Sequence, residues 1–170
     1  MRGPLVVVDQ GTVLRFGVED LMRYHGPGFP GGVAHGFTAM ERALPLLAPD
    51  GVPERRAIRL ETAFPGPGAR DGVELVTRAV TEGRYTVDPA LAMVERGTTL
   101  ERYVFRFRAG DRAVTVAIRD GFVTDEFIAL SRQPGRSAAQ DAHLAVLKQE
   151  MADRLLAVPA AEVYDVVGRG

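Results

Sequence analysis

The apolar positions of this chain change period several times, and each change predicts an element. Leu5-Val6-Val7-Val8 and Thr12-Val13-Leu14-Arg15-Phe16 are short β-branched runs flanking Asp9-Gln10-Gly11, which predicts an opening hairpin. Val18 to Tyr24 reads as a short helix, with Glu19 and Asp20 in the first turn where carboxylates favour the dipole. Val33, Phe37, Met40, Leu44 and Leu47 then repeat at the helical period and predict a long helix from Gly32 to Leu47, with Pro45 expected to kink or shorten its last turn. Arg56 to Thr62 alternates like a half-buried strand, and Arg70 to Thr81 reads as a second helix with Val73, Leu75, Val76 and Val80 inward. Short strands are expected at Tyr85–Val87 and Leu91–Glu95. Arg102–Arg108 and Arg112–Arg119 alternate on either side of Ala109-Gly110-Asp111 and predict an antiparallel hairpin.

Beyond that hairpin, a short helix is expected around Asp125 to Ser131. Ser137 is placed to cap the longest helix, which carries Leu144, Leu147, Met151 and Leu155 and runs to about Val158 before Pro159 stops it. Glu162 to Val167 is a short helix or an edge strand. The sum is one α+β domain over residues 1–170, an antiparallel sheet with helices packed mainly on one face. Residues 1–17 form a hairpin extension and 18–167 the core.

The densest punctuation lies between Tyr24 and Gly36, where thirteen residues hold five Gly, two Pro and two of the three His. Such a run costs backbone order, but ahead of a helix it lets the chain approach a ligand and offers free N–H groups. Ala63-Phe64-Pro65-Gly66-Pro67-Gly68 repeats the design before the second helix. Two helix N-termini fed by such loops are expected to converge on one pocket.

Composition narrows the function classes. Hydrophobic residues at 46% and charged residues at 25% are ordinary for a globular chain. The net charge is −1, no Lys/Arg stripe is visible along the chain and there is no Trp, which argues against a nucleic-acid surface. The absence of Cys removes disulfides, thiolate nucleophiles and Cys-based zinc sites. No signal peptide is read, since Leu5–Val8 is too short an apolar core, and nothing approaches the roughly 18 apolar residues of a membrane span. The expectation is a cytoplasmic domain that acts on a small molecule, with neither nucleic acid nor membrane as partner. No nucleotide loop and no nucleophilic Ser elbow is present.

His25 is the strongest candidate for chemistry, as a general acid/base, because imidazole titrates near neutral pH. The alternative is a buried His satisfied by a backbone carbonyl. Glu61, Asp71 and Glu74 are the carboxylates that would orient it or share its proton; Asp71 also suits a helix start, and Glu61 could equally pair with Arg59 or Arg70. Tyr24, Gly26, Phe29, Gly31, Gly32, His35 and Arg70 are expected to surround the substrate. His35 lies off the apolar stripe near Thr38 and Arg42, a position for a solvated histidine or one lining the site. His143 reads as structural or surface, and Tyr103, Phe105 and Phe107 as sheet core or dimer interface. The function expected is a cofactor-independent isomerase, cyclase or lyase working by proton transfer in an apolar pocket. A non-catalytic binding or assembly protein is one alternative, and a metal site rebuilt from His25, His35 and carboxylates another.

Three blocks resemble the FmdE family, named for a component of formylmethanofuran dehydrogenase. His25-Gly26-Pro27-Gly28-Phe29-Pro30-Gly31 has the spacing of that family's His-Gly-His-x-Cys-Pro-Gly segment ahead of a helix. Asp71-Gly72-Val73-Glu74, with Thr77 and Gly83-Arg84-Tyr85, looks like a degenerate form of its second block, and Leu155 to Pro159 with Glu162-Val163-Tyr164 matches its closing outline. The resemblance spans roughly Val18 to Val167. It implies an α+β core that forms a close homodimer, and a site around the His-rich segment. The family's second His is Pro27 here, its Cys is Phe29, and the Cys of the second block falls near Ala79. The soft metal ligands are gone, which implies a drier pocket without a metal.

Overall fold

The computed structural model describes residues 2–170. The opening hairpin pairs β1 (Leu5–Asp9) with β2 (Thr12–Phe16), and Leu5 and Val7 bury into the same core as the rest of the chain. Asp9 at its turn accepts from Arg55 and Arg56, which ties the hairpin to the segment ahead of the main sheet. Helix α1 (Val18–His25) follows, its N-terminus closed by the Gly17 N–H donating to the Asp20 carboxylate at 2.8 Å.

Helix α2 (Pro30–Leu47) is the axis of the molecule. All five residues of its predicted stripe are buried, as are all positions from Gly31 to Met40. The reason is that α2 is enclosed: it packs on α3 (Pro67–Thr77), on α5 (Ala138–Leu156), and on strands β5 (Val104–Ala109) and β6 (Arg112–Ile118). The helix starts two residues earlier than its pattern suggests, because Pro30 is preorganised for a first turn where its missing N–H costs nothing. Pro45 does not shorten it; only one hydrogen bond is forgone and the helix runs on to Leu47.

The main sheet has the order β4-β3-β5-β6-β7, with β3 at Arg59–Thr62, β4 at Tyr85–Val87 and β7 at Tyr164–Arg169. It is antiparallel except for the β3–β4 pair, which is parallel because α3 carries the chain between them. Leu60, Phe105, Phe107, Val114 and Val116 form the buried face, and the alternate positions of β3 and β5 hold Glu61, Arg106 and Arg108 outside. The α+β class and the layering are as the pattern predicts.

Several local expectations are corrected. Arg55–Ala57 is a turn of 3₁₀ helix, so β3 begins at Arg59, not Arg56. Leu91–Glu95 is not a strand: Pro89–Leu91 and Val94–Arg96 are 3₁₀ turns with no partner strand, the first capped by Asp88. Helix α3 spans Pro67–Thr77 instead of Arg70–Thr81, started by Pro67 and ended by Arg78 in the left-handed region (φ 60°). Helix α4 (Asp125–Arg132) is capped by Thr124, and α5 by the Ser137–Gln140 capping box. The C-terminal stretch is both of its options in turn, helix α6 (Ala160–Val163) then β7.

Candidate functional site

The glycines of the two Gly/Pro loops serve first to bring two helices together. Gly32 and Gly36 on α2 face Gly68 and Ala69 on the α3 side of the crossing. A Cβ on Gly68 would meet the Phe29 carbonyl oxygen at 2.6 Å and the Val33 nitrogen at 2.7 Å; one on Gly36 would meet Ala69 Cα at 3.0 Å. On α2 the glycines stand at i and i+4, as Gly32-Val-Ala-His-Gly36, a spacing that puts a smooth stripe on one face and permits backbone contact, while Gly72 on α3 makes room for Leu21 of α1. That signal stands in the sequence. The expectation that these glycines exist chiefly to approach a ligand is revised accordingly.

Close crossing has a second result. The N-termini of α2 and α3 open side by side onto one cavity of about 280 Å³, as the paired loops suggest. Neither terminus has a capping side chain or an acidic residue in its first turn. Their early N–H groups are therefore unclaimed and the positive ends of both dipoles meet the cavity. Its wall is apolar: Phe29, Phe64, Pro65, Pro67, Phe127, Ile128 and Met151. Its charged residues are Arg102, Arg132 and Lys148, with no carboxylate among the lining residues. Lys148 lies 4.1 Å from the centre of the Phe29 ring and donates to the Gly28 carbonyl at 3.3 Å.

His35 stands one layer behind this wall. It is fully buried, contrary to its expected place on a polar helix side, because that side of α2 is enclosed: Tyr103 packs on the ring, tilted, at 4.5 Å and Phe64 lies at 5.8 Å. Its Nδ1 is 2.7 Å from the Tyr164 hydroxyl and its Nε2 3.4 Å from Met151 Sδ. A thioether has no proton to give, so the hydrogen-bond network assigns the N–H to Nε2 and makes Nδ1 the acceptor of the Tyr164 proton. Burial holds the ring neutral, pulling its pKa to about 3. Burial also lifts the Tyr103 and Tyr164 hydroxyls well above the ordinary tyrosine range.

His25 occupies a different setting at the end of α1. Its Nδ1 lies 2.7 Å from Asp71 Oδ2, and its side chain is only 7% exposed. The Nε2 is buried with no hydrogen-bond partner. Phe29 packs on it at 5.8 Å and also lines the cavity, which His25 itself does not. Tyr85, not among the expected site residues, belongs to the same neighbourhood: its hydroxyl is buried without a partner, and burial raises it to about 12, with Arg70 and Asp71 close enough to act on it.

The remaining candidates are dispersed. Glu61 faces the open side of the sheet and accepts from Arg106 at 2.6 Å and Arg108 at 3.2 Å, not from Arg59 or Arg70; the Arg106 hydrogen bond above all holds its carboxyl below the usual range. Glu74 turns to the end of its own helix and binds the Thr81 N–H and hydroxyl. Arg70 is exposed, 3.8 Å from Asp71, and Tyr24 is in solvent. Gly26 takes a positive φ of 87° as the C-cap of α1. His143 pairs with Glu126 on the surface. The arginines are less scattered than the sequence suggests: Arg106, Arg108, Arg112 and Arg169 line one shallow groove on the open sheet face.

The donors do not fit a metal ion at the positions where the resemblance would place the FmdE ligands. Pro27, Phe29 and Ala79 offer no ligand atoms, His35 is committed to Tyr164 and Met151, and no cluster of three or more His, Cys, Asp or Glu occurs among the described residues. No helix among them is long and apolar enough to cross a membrane. Compared with known proteins, the chain matches no family model, and no curated protein matches its sequence.

Proposed function

We propose that the chain binds a small organic anion, an apolar body with a carboxylate or similar headgroup, in the cavity between α2 and α3. The observation that carries this reading is the pairing of two uncapped helix N-termini with three basic side chains and no acid around an apolar void. An apolar void of roughly 150 Å³ takes a benzene ring, so about 280 Å³ takes a ring and a headgroup. The test is titration with benzoate and phenylacetate by calorimetry. Binding should weaken as salt rises and fall at least tenfold in Arg132→Glu. Benzyl alcohol or toluene binding as tightly as benzoate would overturn it.

A second reading, proton-transfer catalysis, is favoured by the His25–Asp71 pair with its orphaned Nε2. Asp71 fixes the ring and leaves the far nitrogen free to take or give a proton. The likeness to the FmdE family belongs to the same proposal. In its support, two of the three blocks that carry the likeness meet in space at His25 and Asp71. On this reading the chain is a metal-free relative that forms a close dimer, which sedimentation of the purified protein checks.

A further inference from the structure

We propose that Lys148 is an amine nucleophile, forming an imine with a carbonyl carried by the anion, so that the substrate class is 2-oxo acids and aldehyde acids. The inference rests on the anion-binding reading of the cavity and adds covalent chemistry to it.

Lys148 is the only lysine among the 21 Lys and Arg residues. A chain that meets every other need for a basic side chain with Arg keeps its one primary side-chain amine on the wall of its apolar cavity. Arginine cannot do this chemistry, since the guanidinium stays protonated and is a poor nucleophile. The amine is reached from the mid-part of α5, a rigid 19-residue helix, and held by the Gly28 carbonyl at 3.3 Å, so its position is fixed by the fold and not by a mobile tip. Gly31 lets α2 approach the backbone of α5 that carries Lys148: a Cβ there would meet Met151 Cε at 2.3 Å and the Lys148 carbonyl at 3.3 Å.

The surroundings favour the neutral amine that the reaction needs. Burial first, and then the charge of Arg136, hold the Lys148 ammonium below the usual lysine range, against a smaller opposing pull from Asp141. The Phe29 ring stabilises the cation and works the other way. The step balances without any further reagent. The nitrogen lone pair adds to the carbonyl carbon and the oxygen takes a proton; the carbinolamine then loses water, giving C=N and one H₂O. Arg102 and Arg132 remain to hold the headgroup while the carbonyl end meets the amine.

The probe is 4-carboxybenzaldehyde with cyanoborohydride, followed by mass spectrometry of peptides, alongside calorimetry with benzoate. The α-amine at the N-terminus of the purified chain serves as an internal control. The expected result is one carboxybenzyl group on the peptide bearing Lys148, formed at least tenfold faster than on the α-amine and slowed by benzoate. Benzoate binding with no preference for Lys148, or labelling of Lys148 that benzoate does not slow, overturns the imine inference alone. Failure of benzoate to bind overturns the cavity reading beneath it.

Discussion

The two histidines of the Gly-rich stretch stand ten residues apart and meet opposite environments. His35 has only neutral partners: a tyrosine hydroxyl on one nitrogen, a thioether on the other and two aromatic rings on its faces. His25 has a carboxylate on one nitrogen and nothing on the other. Both are largely buried, so burial does not separate them; the charge of the partner does. A ring surrounded by neutral groups can keep only its neutral form, and so serves packing. A ring held by a carboxylate on one nitrogen and unpartnered on the other has the arrangement that proton transfer uses.

The largest break in this comparison comes from the crossing that places both rings. Gly68→Val puts a side chain where even a Cβ would lie 2.6 Å from the Phe29 carbonyl and 2.7 Å from the Val33 nitrogen. Those neighbours are backbone and cannot turn aside. The expected cost is about 3 kcal/mol, with Asp71 on α3 drawn away from His25 and the cavity opened at once. Thermal denaturation checks the first, and loss of benzoate binding the second. A variant as stable as the parent would show that the helices do not cross at Gly68.

His35 comes next. Truncation to Ala leaves a cavity and an unpaired Tyr164 hydroxyl in the core, at an expected cost of about 3 kcal/mol in urea denaturation. Its neutrality also has a pH signature. The folded pKa of about 3 lies below the ordinary value of 6.5. Between those values the unfolded chain binds a proton that the folded chain does not, so stability is full above pH 6.5 and falls with pH down to about 3. The slope from this ring is at most about 1.4 kcal/mol per pH unit. Carboxylates such as Glu61 also weaken the fold in acid. His35→Phe isolates the ring: the variant's stability should flatten over this window relative to the parent's, and identical slopes would show that the ring is hydrated in the fold.

The same pair of residues shows what is legible from the chain alone. Strands, hairpins and caps follow from local pattern, as the β5–β6 alternation and the Ser137 cap do, because neighbours in sequence decide them. The burial of His35 is not legible, because a helical stripe predicts one buried face, and a helix enclosed by α3, α5 and the sheet has buried residues on every side. Leu91–Glu95 is too short an apolar run for periodicity to tell a strand from 3₁₀ turns. The cavity is half legible. Its Gly/Pro floor lies in the two loops, but Arg102, Arg132 and Lys148 arrive from a loop, α4 and α5, and no spacing announces a meeting of residues so far apart. Glu61 is near the second loop in sequence, yet strand alternation turns it to the opposite face of the sheet.

His25 should show the smallest effect on stability and the largest contrast with its neighbour. Its partner Asp71 is 31% exposed, so the pair is partly screened and His25→Ala should cost only about 1 kcal/mol. Function should respond in the other direction. Solvent deuterium exchange at the carbon next to the carbonyl of pyruvate, followed by proton NMR, reports proton transfer without knowledge of the natural substrate. On the proton-transfer reading, exchange accelerated by the protein should fall at least a hundredfold in His25→Ala. Asp71→Asn should lower it less, since the amide can still hold the ring at Nδ1. The His35→Phe variant should bind benzoate and retain exchange. If His35→Phe abolished exchange while His25→Ala left it untouched, the roles assigned to the two rings would be reversed, and a neutral partner set would no longer mark a histidine that serves only the core.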